Sequence, residues 1–275
     1  MFLMQFSVLF LIICLTFLIA WLFGLFSFPK TKGILCGPFA AIGGFLLFFL
    51  IQMSLILIFA TLSAITHFYE NSSNVQFIGW IQFIATTTAT LALLGFIRKL
   101  GLRGIPIWGD ITLSRALIGA STLLIALPLV LAISQLVGSL LIHFEIKGEL
   151  IEQTPVKYIK KLMEFPLLFS FTVFEVVVII PIAEEVLFRG LLQSWLKKYV
   201  HRIYAIGLSS IIFACFHYSS EQQLSNVVIL PSLFAFSIIL GSLYEKQQSL
   251  ISPIVLHSLF NLSSTILIFL ATESS

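Results

Sequence analysis

Charge is what this sequence has least of. Only 10% of its 275 residues are Asp, Glu, Lys or Arg, where a soluble domain carries about a quarter. That scarcity, beside 59% hydrophobic residues and a mean hydropathy of +1.09, excludes a water-soluble globular domain. A net charge of +3 leaves no basic footprint for nucleic acid. Cysteine is scarce too. Cys14, Cys36 and Cys215 lie in or beside apolar runs with no paired spacing, which excludes a disulfide framework and a thiolate metal site. The first apolar run has neither a basic stretch before it nor a small-x-small cleavage site after it, so it is expected to be a retained helix. No soluble domain, low-complexity linker or internal repeat interrupts residues 1–275, which read as a single membrane domain.

Apolar runs are what is abundant. About 20 such residues span the hydrocarbon core. On that rule the chain is an all-α, polytopic transmembrane helical bundle of about eight spans: Phe2–Phe26, Pro38–Ile65, Phe77–Ile97, Ala116–Ile142, Pro166–Leu196, Ile203–Tyr218, Val227–Tyr244 and Leu250–Leu270. The sixth is the shortest. Lys30 and Lys32, then Arg98, Lys99, Arg103 and Arg115, then Lys197, Lys198 and Arg202, and finally Lys246 fall in alternate loops. That bias predicts cytoplasmic basic loops and outside termini, in a multi-pass integral membrane protein. In the 147–165 loop, Tyr158–Met163 reads equally as a short interfacial helix or a solvated connector. Spans one to four carry almost no ionisable residue and read as scaffold, with Thr86, Thr87, Thr88 and Thr90 as helix–helix hydrogen-bonding groups.

Against this background the fifth span ends in Pro181-Ile-Ala-Glu184-Glu185-Val-Leu-Phe-Arg189-Gly190. Ionised groups in a bilayer are costly and mark candidate sites. Glu185 and Arg189, four apart, share a helix face and can pair. Glu184 lies about 100° away, free to act. Two further polar intrusions follow: Phe213-x-x-x-His217 in span six, and His257-x-x-x-Asn261 in span eight. At 1.5 Å per residue, Glu184 and His217 lie ~18 and ~20 Å from the basic ends of their spans, and His257 and Asn261 ~14 and ~20 Å from theirs. All four are expected at one level, as one intramembrane site. Glu175, nine residues before Glu184, is read as facing a similar way and as a hydrogen-bonded structural acid.

These three motifs, in this order, resemble those of the CPBP family, the CAAX-protease and bacteriocin-processing intramembrane proteins also called Abi proteins and related to the Rce1-type prenyl endopeptidases. The resemblance covers about Val173 to Leu262. It implies scaffold helices over 1–146 and a catalytic helix core over 166–270. A carboxylate in apolar surroundings has a raised pKa and suits a general base, so Glu184 is expected to activate water. His217 would hold that water or protonate the leaving amine, and His257 and Asn261 would face the oxyanion. Glu185 and Arg189 divide evenly between catalytic and structural roles. The resemblance implies the same roles for Glu184, His217, His257 and Asn261.

Cofactor use stays open. Glu184, His217 and His257 match a zinc ligand set, although HExxH is absent, and the balance favours no tightly bound zinc. The expected partners are the lipid bilayer and a membrane-embedded or lipidated peptide substrate. A bacteriocin self-immunity protein acting by peptide binding is the alternative function. A proton-coupled transporter ranks lower, because inverted repeats are missing.

Overall fold

A computed structural model describes residues 2–30, 36–65, 74–100, 112–146, 148 and 151–273; Lys32, Arg103 and part of the 147–165 loop lie outside them. Nine helices carry the described chain: α1 Phe2–Leu22, α2 Pro38–Ile65, α3 Asn74–Lys99, α4 Leu113–His143, α5 Thr154–Leu162, α6 Pro166–Leu196, α7 Arg202–Cys215, α8 Ser225–Gln247 and α9 Ile251–Glu273. Among the described residues there is no strand. The architecture is a polytopic helical bundle.

Seven of these helices are long and apolar enough to cross a membrane, one fewer than the expected eight. The sixth expected span is the short α7, 14 residues ending at Cys215, or about 21 Å. His217 lies past its end, in a turn. The 147–165 loop resolves in favour of a short helix, α5, whose Ile159 and Leu162 are buried while Lys160 pairs with Glu152 in solvent.

Hydrogen bonds between helix ends show which ends lie together. Lys246 donates to the Phe23 carbonyl at 2.7 Å, Arg202 to Pro29 at 2.6 Å and Ser252 to Arg115 at 2.8 Å. These collect the Lys- and Arg-bearing helix ends on one basic face. On the other face Thr154 meets Glu221 at 3.3 Å and Ser225 reaches the Ile151 carbonyl at 2.8 Å.

Two apolar cores hold the bundle. In one, α2 and α3 pack on α6 through Ala41, Ala89, Leu93, Leu187 and Leu191. In the other, α1, α4, α8 and α9 meet through Ala20, Ala126, Leu129, Leu240 and Leu256. Small residues let membrane helices approach closely. At Gly119 of α4 a Cβ would lie 2.4 Å from the backbone oxygen of Ser252 on α9. Outside, large apolar side chains such as Leu50, Leu57, Phe10 and Leu124 stay exposed, as lipid-facing surface requires. The α6–α8 contact joins the two cores, and it is polar.

Helix α6 is not regular. Its hydrogen bonding shifts to the wider π pattern over Glu175–Ile179 and again over Val186–Gln193. Such shifts inside α-helices recur at functional sites. The first has a readable cause: Pro181 has no N–H to give, and in the i→i−5 pattern that missing donor would have served the carbonyl of Val176. Asn261 of α9 supplies the bond instead, donating from Nδ2 to Val176 O at 2.9 Å. In the second, the Ser194 hydroxyl donates to the Arg189 carbonyl at 3.1 Å.

Candidate active site

Glu184 and Glu185 close the short α-helical stretch between the two π segments, and their neighbours differ sharply. Glu185 is fully buried. Its Oε1 accepts from Arg189 Nη1 at 3.0 Å and from His257 Nδ1–H at 2.8 Å, while its Oε2 has no hydrogen-bond partner. Glu184 keeps 24% of its side chain exposed, and its Oε2 stands 3.6 Å from His257 Nε2. One imidazole thus bridges the two adjacent carboxylates. Donation of Nδ1–H to Glu185 directs Nε2 at Glu184.

Phe236 and Phe213 wall the His257 ring at centroid distances of 5.4 and 6.1 Å. Phe213 also lies under the Arg189 guanidinium at 4.7 Å and beside the His217 ring at 4.8 Å. Phe188 joins from α6, edge-on to Phe213 at 5.1 Å and to Phe45 of α2 at 5.3 Å. The site is therefore polar at its centre and aromatic around it, which strengthens each charge–charge contact.

The structure brings together Glu184, Glu185, Arg189 and His257. His217 lies not on a helix but half-buried in the turn after α7, with Nδ1–H donating to the Phe213 carbonyl at 2.9 Å. It has no hydrogen bond or ion pair to Glu184 or His257. Asn261 gives one of its two amide N–H groups to the Val176 carbonyl. Among the described residues, no three His, Cys, Asp or Glu side chains converge as metal ligands.

Glu175 departs from its expected orientation. Nine residues are two and a half α-helical turns, so it does not share the Glu184 face. It turns to Thr86 of α3, which also accepts from Gln52 of α2 at 3.1 Å and from Gln82 at 3.2 Å. Tyr158 of α5 lies near enough to feel its charge. Burial and then the Glu175 carboxylate push that phenol up to about 12, so it stays neutral.

Beyond Arg189 runs a ladder of buried polar pairs. Arg189 Nη2 donates to Ser237 Oγ at 2.8 Å, Gln193 Nε2 to the Gly241 carbonyl at 3.1 Å, and Lys197 Nζ meets Glu245 Oε1 at 2.7 Å. Each pair is 48 residues apart and each step advances four on both helices, so α6 and α8 run parallel in register. Gln193 also reaches Glu245 at 3.0 Å, and Ser194 meets the Tyr244 hydroxyl at 3.0 Å. At Lys197, just past the span, burial holds the amine below its usual range while Glu245 opposes the shift. Reading the Glu–Glu–Arg motif alone misses Gln193, Lys197, Ser237 and Glu245. The signal for Gln193 and Lys197 was the same four-residue step, Glu185, Arg189, Gln193, Lys197, continued along α6; Ser237, Gly241 and Glu245 repeat that step on α8.

A membrane-embedded helical bundle holding paired carboxylates, an arginine and a histidine is the setting of an intramembrane hydrolase. Residues 166–263 match the family model described as "Type II CAAX prenyl endopeptidase Rce1-like". The match runs from the first residue of α6 into α9, includes Glu184, Glu185, Arg189, His217, His257 and Asn261, and agrees with the CPBP family of intramembrane proteases. Neither the curated proteins nor the solved structures give a match.

Proposed function

We propose that the protein is an intramembrane endopeptidase in which Glu184 activates the attacking water. The observation that carries this reading is the difference between adjacent acids: Glu185 is buried and bonded, while Glu184 stays partly exposed with His257 Nε2 at 3.6 Å. A carboxylate base must reach water; a carboxylate that orients must not.

In the proposed reaction, water binds between Glu184 and His257 Nε2. Glu184 takes its proton as the oxygen attacks the scissile carbonyl. Glu185 fixes the His257 ring through Nδ1, and Arg189 offsets the buried charge of Glu185. As the C–N bond breaks, the proton taken up by Glu184 returns to the leaving amine, relayed through water by His217 Nε2, which is left as an acceptor because Nδ1–H is committed to Phe213 O. General acid–base assistance of this kind is worth about 10²–10⁴-fold. The partly exposed Glu184, beside the aromatic-walled His257, suits a membrane-associated or lipidated peptide as substrate, and the matched family's printed name points to CAAX-type peptides.

The test is comparative peptidomics of membranes carrying the wild type or Glu184→Gln. A peptide present intact with the variant and cut with the wild type supports the reading. Identical peptide profiles from an expressing host that supplies the substrate, together with full cleavage by Glu184→Gln of any peptide the wild type cuts, refute it.

A further inference from the structure

At the basic face, the turn after α6 and the segment after α1 enclose a cavity of about 590 Å³ lined by Pro29, Lys30, Lys197, Lys198, His201 and Arg202 among others. Arg202 Nη1 clamps the two segments together through Pro29 O. Glu245 brings negative charge here, 2.7 Å from Lys197 and 3.8 Å from Arg202. Among the described residues that line the cavity are Lys30, Lys197, Lys198 and Arg202 and no acid, with Lys30 and Lys198 exposed. The ligand chemistry this selects is a phosphate-type anion.

A second cavity, about 260 Å³, lies between α1, α4 and α8, where Ala20, Phe26, Leu129 and Ile239 line it and Thr16 is its one polar residue. The two cavities share the segment after α1: Phe26 lines the apolar one, and Phe28, Pro29 and Lys30 the basic one. On α8 the apolar lining spans Pro231 to Ile239, six to fourteen residues before Glu245 and so ~9–21 Å deeper. One leaflet of hydrocarbon is about 15 Å thick. Tyr199, which lines the basic cavity, and Tyr204 nearby in sequence are exposed, as aromatic residues at the headgroup level are.

We propose that these two cavities are one site for an anionic phospholipid, its headgroup phosphate held by Lys30, Lys198 and Arg202 and one acyl chain lying against Phe26 and Ile239. A soluble anion would use the first cavity and leave the second without purpose. The site is separate from Glu184 and His257 and does not depend on the proteolytic reading.

Native mass spectrometry of the full-length protein tests this, titrating phosphatidylglycerol, phosphatidylcholine of the same chains, and inorganic phosphate. Wild type is expected to retain phosphatidylglycerol at least tenfold better than phosphatidylcholine. Lys30→Glu with Lys198→Glu should abolish that preference. Arg98→Glu with Lys99→Glu, the same charge change at the end of α3 on the same face, should keep it. Lys30→Gln with Lys198→Gln gives a milder second pair, and melting curves report whether each variant is folded. Equal losses in both charge-reversed proteins would reduce the effect to general surface charge and overturn the site. Inorganic phosphate competing as well as the lipid would transfer the cavity to a soluble anion. Ala235→Phe, which fills the apolar cavity, is expected to weaken phosphatidylglycerol retention severalfold; unchanged retention would remove the acyl-chain half of the assignment.

Discussion

His257 Nδ1 lies 2.8 Å from Glu185 Oε1, the same oxygen that Arg189 Nη1 holds at 3.0 Å. One carboxylate oxygen thereby ties α9 to α6, and Arg189 carries the tie on to Ser237 of α8. Glu185 is the hub that sets where His257 points, and Glu184 is the group His257 points at.

Division of labour between the two acids predicts opposite phenotypes. Glu184→Gln should lower the rate of peptide cleavage by about 10²-fold or more, yet leave the melting temperature nearly unchanged, because Glu184 is partly exposed and makes only the long contact to His257. Glu185→Gln should lower the melting temperature as well as the activity. Cleavage assays in proteoliposomes, paired with thermal melts in detergent, separate the two. Equal melting losses for both variants would contradict the assigned roles.

Arg189 is buried with Glu185, and removing one partner of a buried pair costs about 3–5 kcal/mol, because the other charge is left uncompensated. Arg189→Met should therefore destabilise strongly, and Arg189→Met with Glu185→Gln should melt higher than Arg189→Met alone. Arg189→Lys should not restore stability. An ammonium lacks the planar fork that reaches Glu185 and Ser237 at once. A double variant no more stable than the single would show that the pair is not what the burial implies.

Much of this was legible in the chain because the membrane makes polar residues conspicuous. Glu185 and Arg189 stand four apart in an apolar run whose one other nearby charge is Glu184, a residue off that face, so their pairing follows from helix geometry. What was hidden depends on departures from that geometry. The π turns of α6 cannot be read from residue spacing, and Glu175 was assigned to the wrong face because two and a half turns separate it from Glu184. His217 was placed on a helix because Tyr218 was taken as its end; α7 stops at Cys215. For Asn261, only the three-dimensional position of Val176 reveals the carbonyl it also serves, which Pro181 leaves without its backbone partner.

Close helix crossings give a stability prediction independent of any chemistry. Gly119→Ala would put a Cβ 2.4 Å from the Ser252 backbone oxygen, an atom that cannot move without shifting α9. Overpacking of that kind costs about 1–3 kcal/mol or more. Gly95→Ala and Gly138→Ala meet nothing within 4 Å and remove a helix-weakening residue, so their melting temperatures should hold or rise. Thermal melts of the three variants check the order.

The exchange between Pro181 and Asn261 offers the sharpest test of the α6 geometry. Asn261→Leu leaves the Val176 carbonyl without the bond it now has, and an unsatisfied buried acceptor costs about 1–3 kcal/mol. Pro181→Ala returns a backbone N–H to that stretch, so the helix can satisfy the carbonyl itself. The double variant should recover most of the stability lost by Asn261→Leu. Activity should not return with it if the π turn that Pro181 sustains is needed to hold Glu184 opposite His257. Melting temperatures and cleavage rates of the two single variants and the double variant decide the matter. Additive losses, with no rescue of stability, would mean that Asn261 does not stand in for the donor proline lacks.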